Sequence, residues 1–185
     1  LAATSGGGVT ASGSSSSYTL TGALADLNAF IVAGLVTYQF DGVGLPVLAT
    51  GTQPYAVAIG DLDGDGQPDL VTANRGANSV SVLRNTTTSS LSFAAKADFA
   101  VGPFPSAVAI GDLDGDGKPD LVVANSNGNT GGPSTVSILI NTSTPGNLSF
   151  QAHTTFAVGA NPSDVELGDL DGDGKLDVIV ANANI

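Results

Sequence analysis

Aspartates at alternate positions of a glycine-rich stretch are suited to one kind of chemistry, surrounding a hard cation with oxygen. This chain carries such a stretch three times, at residues 61–69 (DLDGDGQPD), 112–120 (DLDGDGKPD) and 169–177 (DLDGDGKLD). Calcium takes about six to eight oxygens at about 2.3–2.6 Å, and carboxylates at positions 1, 3 and 5 of a tight loop supply them from one side. The glycines at positions 4 and 6, Gly64 and Gly66 in the first copy, let the backbone curl through conformations that a side chain resists. Position 7 presents its backbone carbonyl, so its side chain is free to vary, and the Asp at position 9 closes the site. The first expected calcium site is therefore Asp61, Asp63, Asp65, Gln67 and Asp69. The second is Asp112, Asp114, Asp116, Lys118 and Asp120, and the third is Asp169, Asp171, Asp173, Lys175 and Asp177.

An EF-hand or dockerin loop shares the D-x-D-x-D-G start but needs an acidic ligand at position 12 and flanking helices. Position 12 here is Thr72, Val123 or Val180, each inside a strand-like run. A glycine-rich β-helix would repeat its nonapeptide back to back, whereas these copies start 51 and 57 residues apart. Asp and Gly also favour turns for local reasons. Four carboxylates within nine residues nevertheless repel one another unless a cation sits among them. Magnesium fits less well, because it gives up its waters reluctantly.

These loops hold 12 of the 17 acidic residues, so the formal charge of −12 is a local feature. With only 5 Lys+Arg the chain cannot neutralise a nucleic-acid backbone. It has no Cys, hence no disulfide or thiolate chemistry. Its 42% hydrophobic content in 185 residues is enough for a folded core. The longest apolar run, residues 29–36, falls far short of the roughly 20 residues of a membrane-crossing helix. A start at Leu1 without Met reads as a processed or excerpted chain.

The loops must be held by what flanks them. Upstream stand YAVAIG (55–60), SAVAIG (106–111) and SDVELG (163–168), and downstream LVTAN (70–74), LVVAN (121–125) and VIVAN (178–182). Two copies continue into SVSVLRN (79–85) and TVSILIN (135–141), then LSF and a segment ending FAVG. Short β-branched runs bounded by Gly, Pro and Asn read as strands, about four to a unit, with the acidic loop joining the first to the second. This pattern resembles the FG-GAP or VCBS-type repeat of extracellular proteins, related to the blades of integrin α-subunits. The resemblance spans roughly residues 44–184. It implies four-stranded antiparallel blades of a β-propeller with calcium in the interstrand loop.

The expected fold is all-β: tandem blades of an incomplete propeller, at 44–102, 103–159 and a shortened 160–185. Residues 1–17, nearly all Ser, Gly or Thr from Thr4 on, read as a flexible arm or a polar edge strand able to pair with another chain. Residues 18–43 read as strand, short helix, strand. Leu24, Leu27 and Ile31 share a helical face before Gly34, and residues 35–40 follow as a strand. That order resembles part of a cadherin-like or Ig-like domain. Propellers close with about four to eight blades, more than this chain encodes. The missing strands would come from a longer chain or from neighbouring subunits, or the sheets would stay open.

Catalytic chemistry has few candidates. His153, the single histidine, reads as a solvated or edge residue, and no Ser-His-Asp set or carboxylate pair can be placed. Asn85, Asn141 and Asn147 begin N-x-S/T sequons and are candidate glycosylation sites, while Asn74, Asn125 and Asn182 read as turn formers. The expectation is a non-catalytic, extracellular or cell-surface calcium-binding structural or adhesive protein, self-associating into an oligomer or fibre. The alternative is a glycan- or protein-binding module of a larger secreted enzyme or receptor. An aromatic platform would favour the alternative, but Phe93 and Phe150, like Phe99 and Phe156, occupy repeat-equivalent strand positions that read as core.

Overall fold

The computed structural model describes the backbone of residues 3–5, 9–14, 17–21, 30–32, 35–37, 39–40 and 43–44. Residues 48–89, 91–128 and 132–183 are described with their side chains. The chain divides into two compact units, Leu1–Ala49 and Thr50–Ile185.

In the first unit β1 (Ala3–Ser5), β2 (Val9–Ser14) and β3 (Ser17–Thr21) form one antiparallel sheet. The remaining strands are β4 (Phe30–Val32), β5 (Leu35–Thr37), β6 (Gln39–Phe40), β7 (Val43–Gly44) and β8 (Leu48–Ala49). β4, β5 and β8 make a second sheet, and β6 pairs with β7. Within the polar stretch before Ser17, β2 lies between β1 and β3, paired on both sides. Of the expected helix, residues 30–32 are described, and they form a strand instead. Ile31 lies in β4, opposite Val36 of β5, because the run Phe-Ile-Val is aromatic and β-branched and suits a pleated strand better than a helical turn. Leu24, Leu27 and Gly34 lie outside the described residues. No helix occurs among the described residues.

In the second unit each repeat is a sheet. The first blade is β9 (Pro54–Gly60), β10 (Asp69–Asn74), β11 (Ser79–Leu83) and β12 (Ala97–Ala100). The second is β13 (Pro105–Gly111), β14 (Asp120–Asn125), β15 (Thr135–Leu139) and β16 (Thr154–Ala157). The third consists of β17 (Pro162–Gly168) and β18 (Asp177–Asn182). All neighbours are antiparallel, in sequential meander order. Each first strand begins with Pro, whose missing N–H does no harm at a strand start. The residues before these prolines, Gln53, Phe104 and Asn161, all have φ of 51°, a kink repeated once per blade.

The blades stack face to face, with β13 packed against both β9 and β17. Side chains alternate between the two faces of each strand, so two apolar layers form. Leu62 and Val71 of the first blade meet Leu121, Val123 and Leu139 of the second, with Phe99 and Phe150 in edge-to-face contact at 4.9 Å. Val122, Ala124 and Val136 of the second blade meet Val165, Leu167 and Val180 of the third. The sheets do not close on themselves.

A buried polar seam ties the strands of the first two blades together. Asn74, wholly buried, donates from its amide to Ser81 Oγ at 2.9 Å, and its carbonyl accepts the Gly51 N–H at 3.1 Å. Asn125 donates likewise to Ser137 Oγ at 2.9 Å. A Cβ on Gly51, Gly102 or Gly159 would meet the side chain of Asn74, Asn125 or Asn182 at 2.5–2.8 Å, which explains the glycine that precedes each first strand. Asn74 and Asn125 are therefore more than turn formers: they close strands from inside the sheet. His153, half-buried, has its Nδ1 3.0 Å from Ser137 Oγ and so belongs to the seam of the second blade.

Candidate metal centre

Each acidic loop leaves the first strand of a blade and returns as the second. Its shape is built from carboxylate-to-backbone hydrogen bonds. Asp61 accepts the N–H groups of Gly64 and Gly66, both at 2.8 Å, one on each oxygen. Asp112 does the same with Gly115 and Gly117 at 2.8 Å, and Asp169 with Gly172 at 2.7 Å and Gly174 at 2.9 Å. Asp63 accepts from Asp65 N, and Asp65 from Gln67 N, a ladder repeated in the other loops.

The carboxylates at positions 1, 3 and 9 converge. Asp61, Asp63 and Asp69 each bring an oxygen within 4.8 Å of the others, and so do Asp112, Asp114 and Asp120, and Asp169, Asp171 and Asp177. Asp65, Asp116 and Asp173 stand outside these triads and accept the position 7 N–H instead. Gln67, Lys118 and Lys175 are held there through the backbone. Lys118 also sets its Nζ 4.0 Å from Asp116.

Position 9 is the anchor. Asp69 accepts Leu62 N at 3.0 Å and Asn85 N at 2.8 Å, and Asp120 accepts Leu113 N at 2.9 Å and Asn141 N at 2.8 Å. One carboxylate thus ties its own loop to the end of the third strand. Asp177 accepts only Leu170 N among the described residues. Burial pushes the Asp69 carboxyl above its ordinary 3.8, with Asp63 and Asp65 adding to the rise, although its backbone hydrogen bonds oppose it. Asp120 is raised in the same way, by burial first and by Asp114 and Asp112. Both are buried anions among anions, which a cation at the centre of the triad would relieve.

A model of the FG-GAP-like repeat matches residues 61–123 and again 112–180. The chain belongs to the FG-GAP-like repeat family. The two matches overlap on the second loop and take in all three, so the FG-GAP unit runs from one acidic loop through the next. Comparison with curated proteins gives no match.

The sequon asparagines of the FG-GAP blades have another use. Asn85 is 6% exposed and Asn141 1%, and their amide nitrogens, where a glycan would attach, donate to backbone carbonyls. Asn85 Nδ2 donates to Pro68 O at 2.9 Å, and Asn141 Nδ2 donates to Pro119 O at 2.7 Å and Leu62 O at 2.8 Å. Both asparagines thus serve to anchor the loops, and a glycan on Asn141 would have to displace one of its two hydrogen bonds. Asn147 is exposed.

Two features were not legible in the repeat pattern. Arg84 reaches the first loop from the end of β11, its Nε 3.9 Å from Asp63 Oδ2 and its NH1 3.9 Å from Asp65 Oδ2. The next blade also contributes, since Gly146 N donates to Asp63 Oδ2 at 2.8 Å. Only Arg84 carried a signal, as a basic residue where the second repeat has Ile140.

Proposed function

We propose that the chain is a non-catalytic, extracellular, calcium-stiffened structural repeat protein with one calcium ion in each acidic loop. The observation that carries this reading is the triple convergence of Asp carboxylates on loops already folded by their own hydrogen bonds. The donor set is all oxygen and anionic, which suits calcium. Three ions would take the formal charge from −12 to about −6. Asp61, Asp63 and Asp69, with their counterparts, would hold the ions. Asp65, Asp116 and Asp173 would reach them by a small rotation or through water.

Equilibrium dialysis should find three calcium ions per chain, and scanning calorimetry a lower melting temperature in chelator. An unchanged melting temperature with no bound calcium would overturn the reading.

Self-association is proposed at the blade faces. Leu62, at position 2 of its loop, is 1% exposed because the second blade covers it, whereas the equivalent Leu170 is 73% exposed and Ile179 37%. On the opposite side, Val57 and Ile59 are 38% and 64% exposed, while their counterparts Val108 and Ile110 pack against the first blade. The two open faces are thus chemically the two halves of an interface the chain already makes, and a second copy fits head to tail. Residues 1–17 as a donor strand would first have to leave their own sheet. Light scattering of wild type, Leu170→Asp and a variant lacking residues 1–21 separates the cases: loss of assembly only on deletion would point to strand donation.

A further inference from the structure

The three loops differ in where their positive charge comes from. Position 7 is Lys118 in the second loop and Lys175 in the third, but Gln67 in the first. Lys118 and its partner Asp116 are both more than 40% exposed, so water and salt screen that pair. The first loop receives its charge from the third strand. Arg84 lies 3.9 Å from an oxygen of Asp63 and 3.9 Å from one of Asp65, with side chains 25%, 0% and 18% exposed. A charge beside a buried carboxylate is screened far less than one beside a solvated carboxylate. The equivalent residue of the second blade is Ile140.

We propose that Arg84 is a resident counter-cation of the first loop. Its guanidinium offsets one of the two negative charges of Asp63 and Asp65 when metal is absent, and an incoming ion binds against its charge. The inference rests on the calcium reading of the loops. It makes the first loop the one whose carboxylates repel one another least without metal, and it gives up affinity in return. Gly146, which donates to the same oxygen of Asp63, keeps that carboxylate aimed in either state.

A calcium titration followed by ¹⁵N–¹H correlation spectra tests this, because the amides of Gly66, Gly117 and Gly174 report the three loops separately. Arg84→Ile, which copies the second blade, should tighten binding at the Gly66 loop about fivefold, the effect of removing one partly exposed charge. Binding at Gly117 and Gly174 should not change, and Arg84→Lys should stay near wild type. Arg84→Gln serves as a second neutral variant if the isoleucine disturbs folding. Unchanged or weaker binding at Gly66 in the neutral variants would overturn the inference and leave the calcium reading intact. No calcium-dependent shift in any wild-type loop would overturn the calcium reading, and the inference with it.

Discussion

Gly64 and Gly66 have φ of 75° and 86°, and a Cβ built on either meets nothing within 4 Å. What these positions demand is the left-handed backbone, not space. Gly66→Ala should therefore destabilise the fold by about 1–2 kcal/mol through conformation alone, which a urea midpoint would show. Asp69 and Asp120 make a prediction about acidity. Their folded values lie above 3.8, so the stability they contribute to metal-free protein is fully present below about 3.8 and lost as pH rises through the raised values. Metal-free protein should thus become more resistant to urea as pH falls through those raised values toward about 3.8. Calcium-loaded protein should become less so, because protons displace the ion. Parallel slopes in the two states would contradict this assignment. Asp98 acts in a separate, lower window: partial burial raises it, but the Lys96 ammonium and the Ser81 hydroxyl outweigh that and hold it below the usual range. Its contribution is present above about 3.8 and lost as pH falls through its depressed value.

Between elements, position 2 of the loop decides how strongly neighbouring blades hold each other. Leu62→Ala would remove a wholly buried side chain from the first apolar layer and should cost about 2–5 kcal/mol. Leu170→Ala, at an exposed position of the same repeat, should stay within about 0.5 kcal/mol in dilute monomer. A large effect of Leu170→Ala that grows with protein concentration would place that face inside an assembly. Gly102→Ala probes the polar seam, since its Cβ would press on Asn125 at 2.7 Å. The strands themselves could be read from β-branched runs between Pro, Gly and Asn, because those residues act locally. The seam could not, because Asn74 and Ser81 meet only once β10 and β11 are paired.

For the whole molecule, metal and folding should be linked. At tenfold excess over its dissociation constant each ion adds about 1.4 kcal/mol. Three independent sites would add about 4 kcal/mol, a large share of a typical 5–15 kcal/mol. Removing the ions should lower the melting temperature by several degrees, measurable by calorimetry before and after adding chelator and then excess calcium. The third loop should contribute least to folding. Its Asp169, Asp171 and Asp177 are all exposed, and Asp177 does not hold the end of a third strand among the described residues.

Local chemistry was enough to specify the acidic loops, the blade strands and their meander order. An aspartate–glycine loop folds on its own hydrogen bonds, and a β-branched run makes the same strand in any blade. Burial is another matter. DLVVAN in β14 is buried at every position, whereas DVIVAN in β18 is mostly exposed, although the two are nearly the same sequence. What differs is whether a sheet lies on one side or both, a property of the neighbours and not of the strand. For the same reason the repeat pattern did not reveal that Asn141 would bind the Leu62 carbonyl, or that Arg84 would face the first loop. The first contact arises only when the blades stack, and the second only when β11 is paired beside the loop in its own blade.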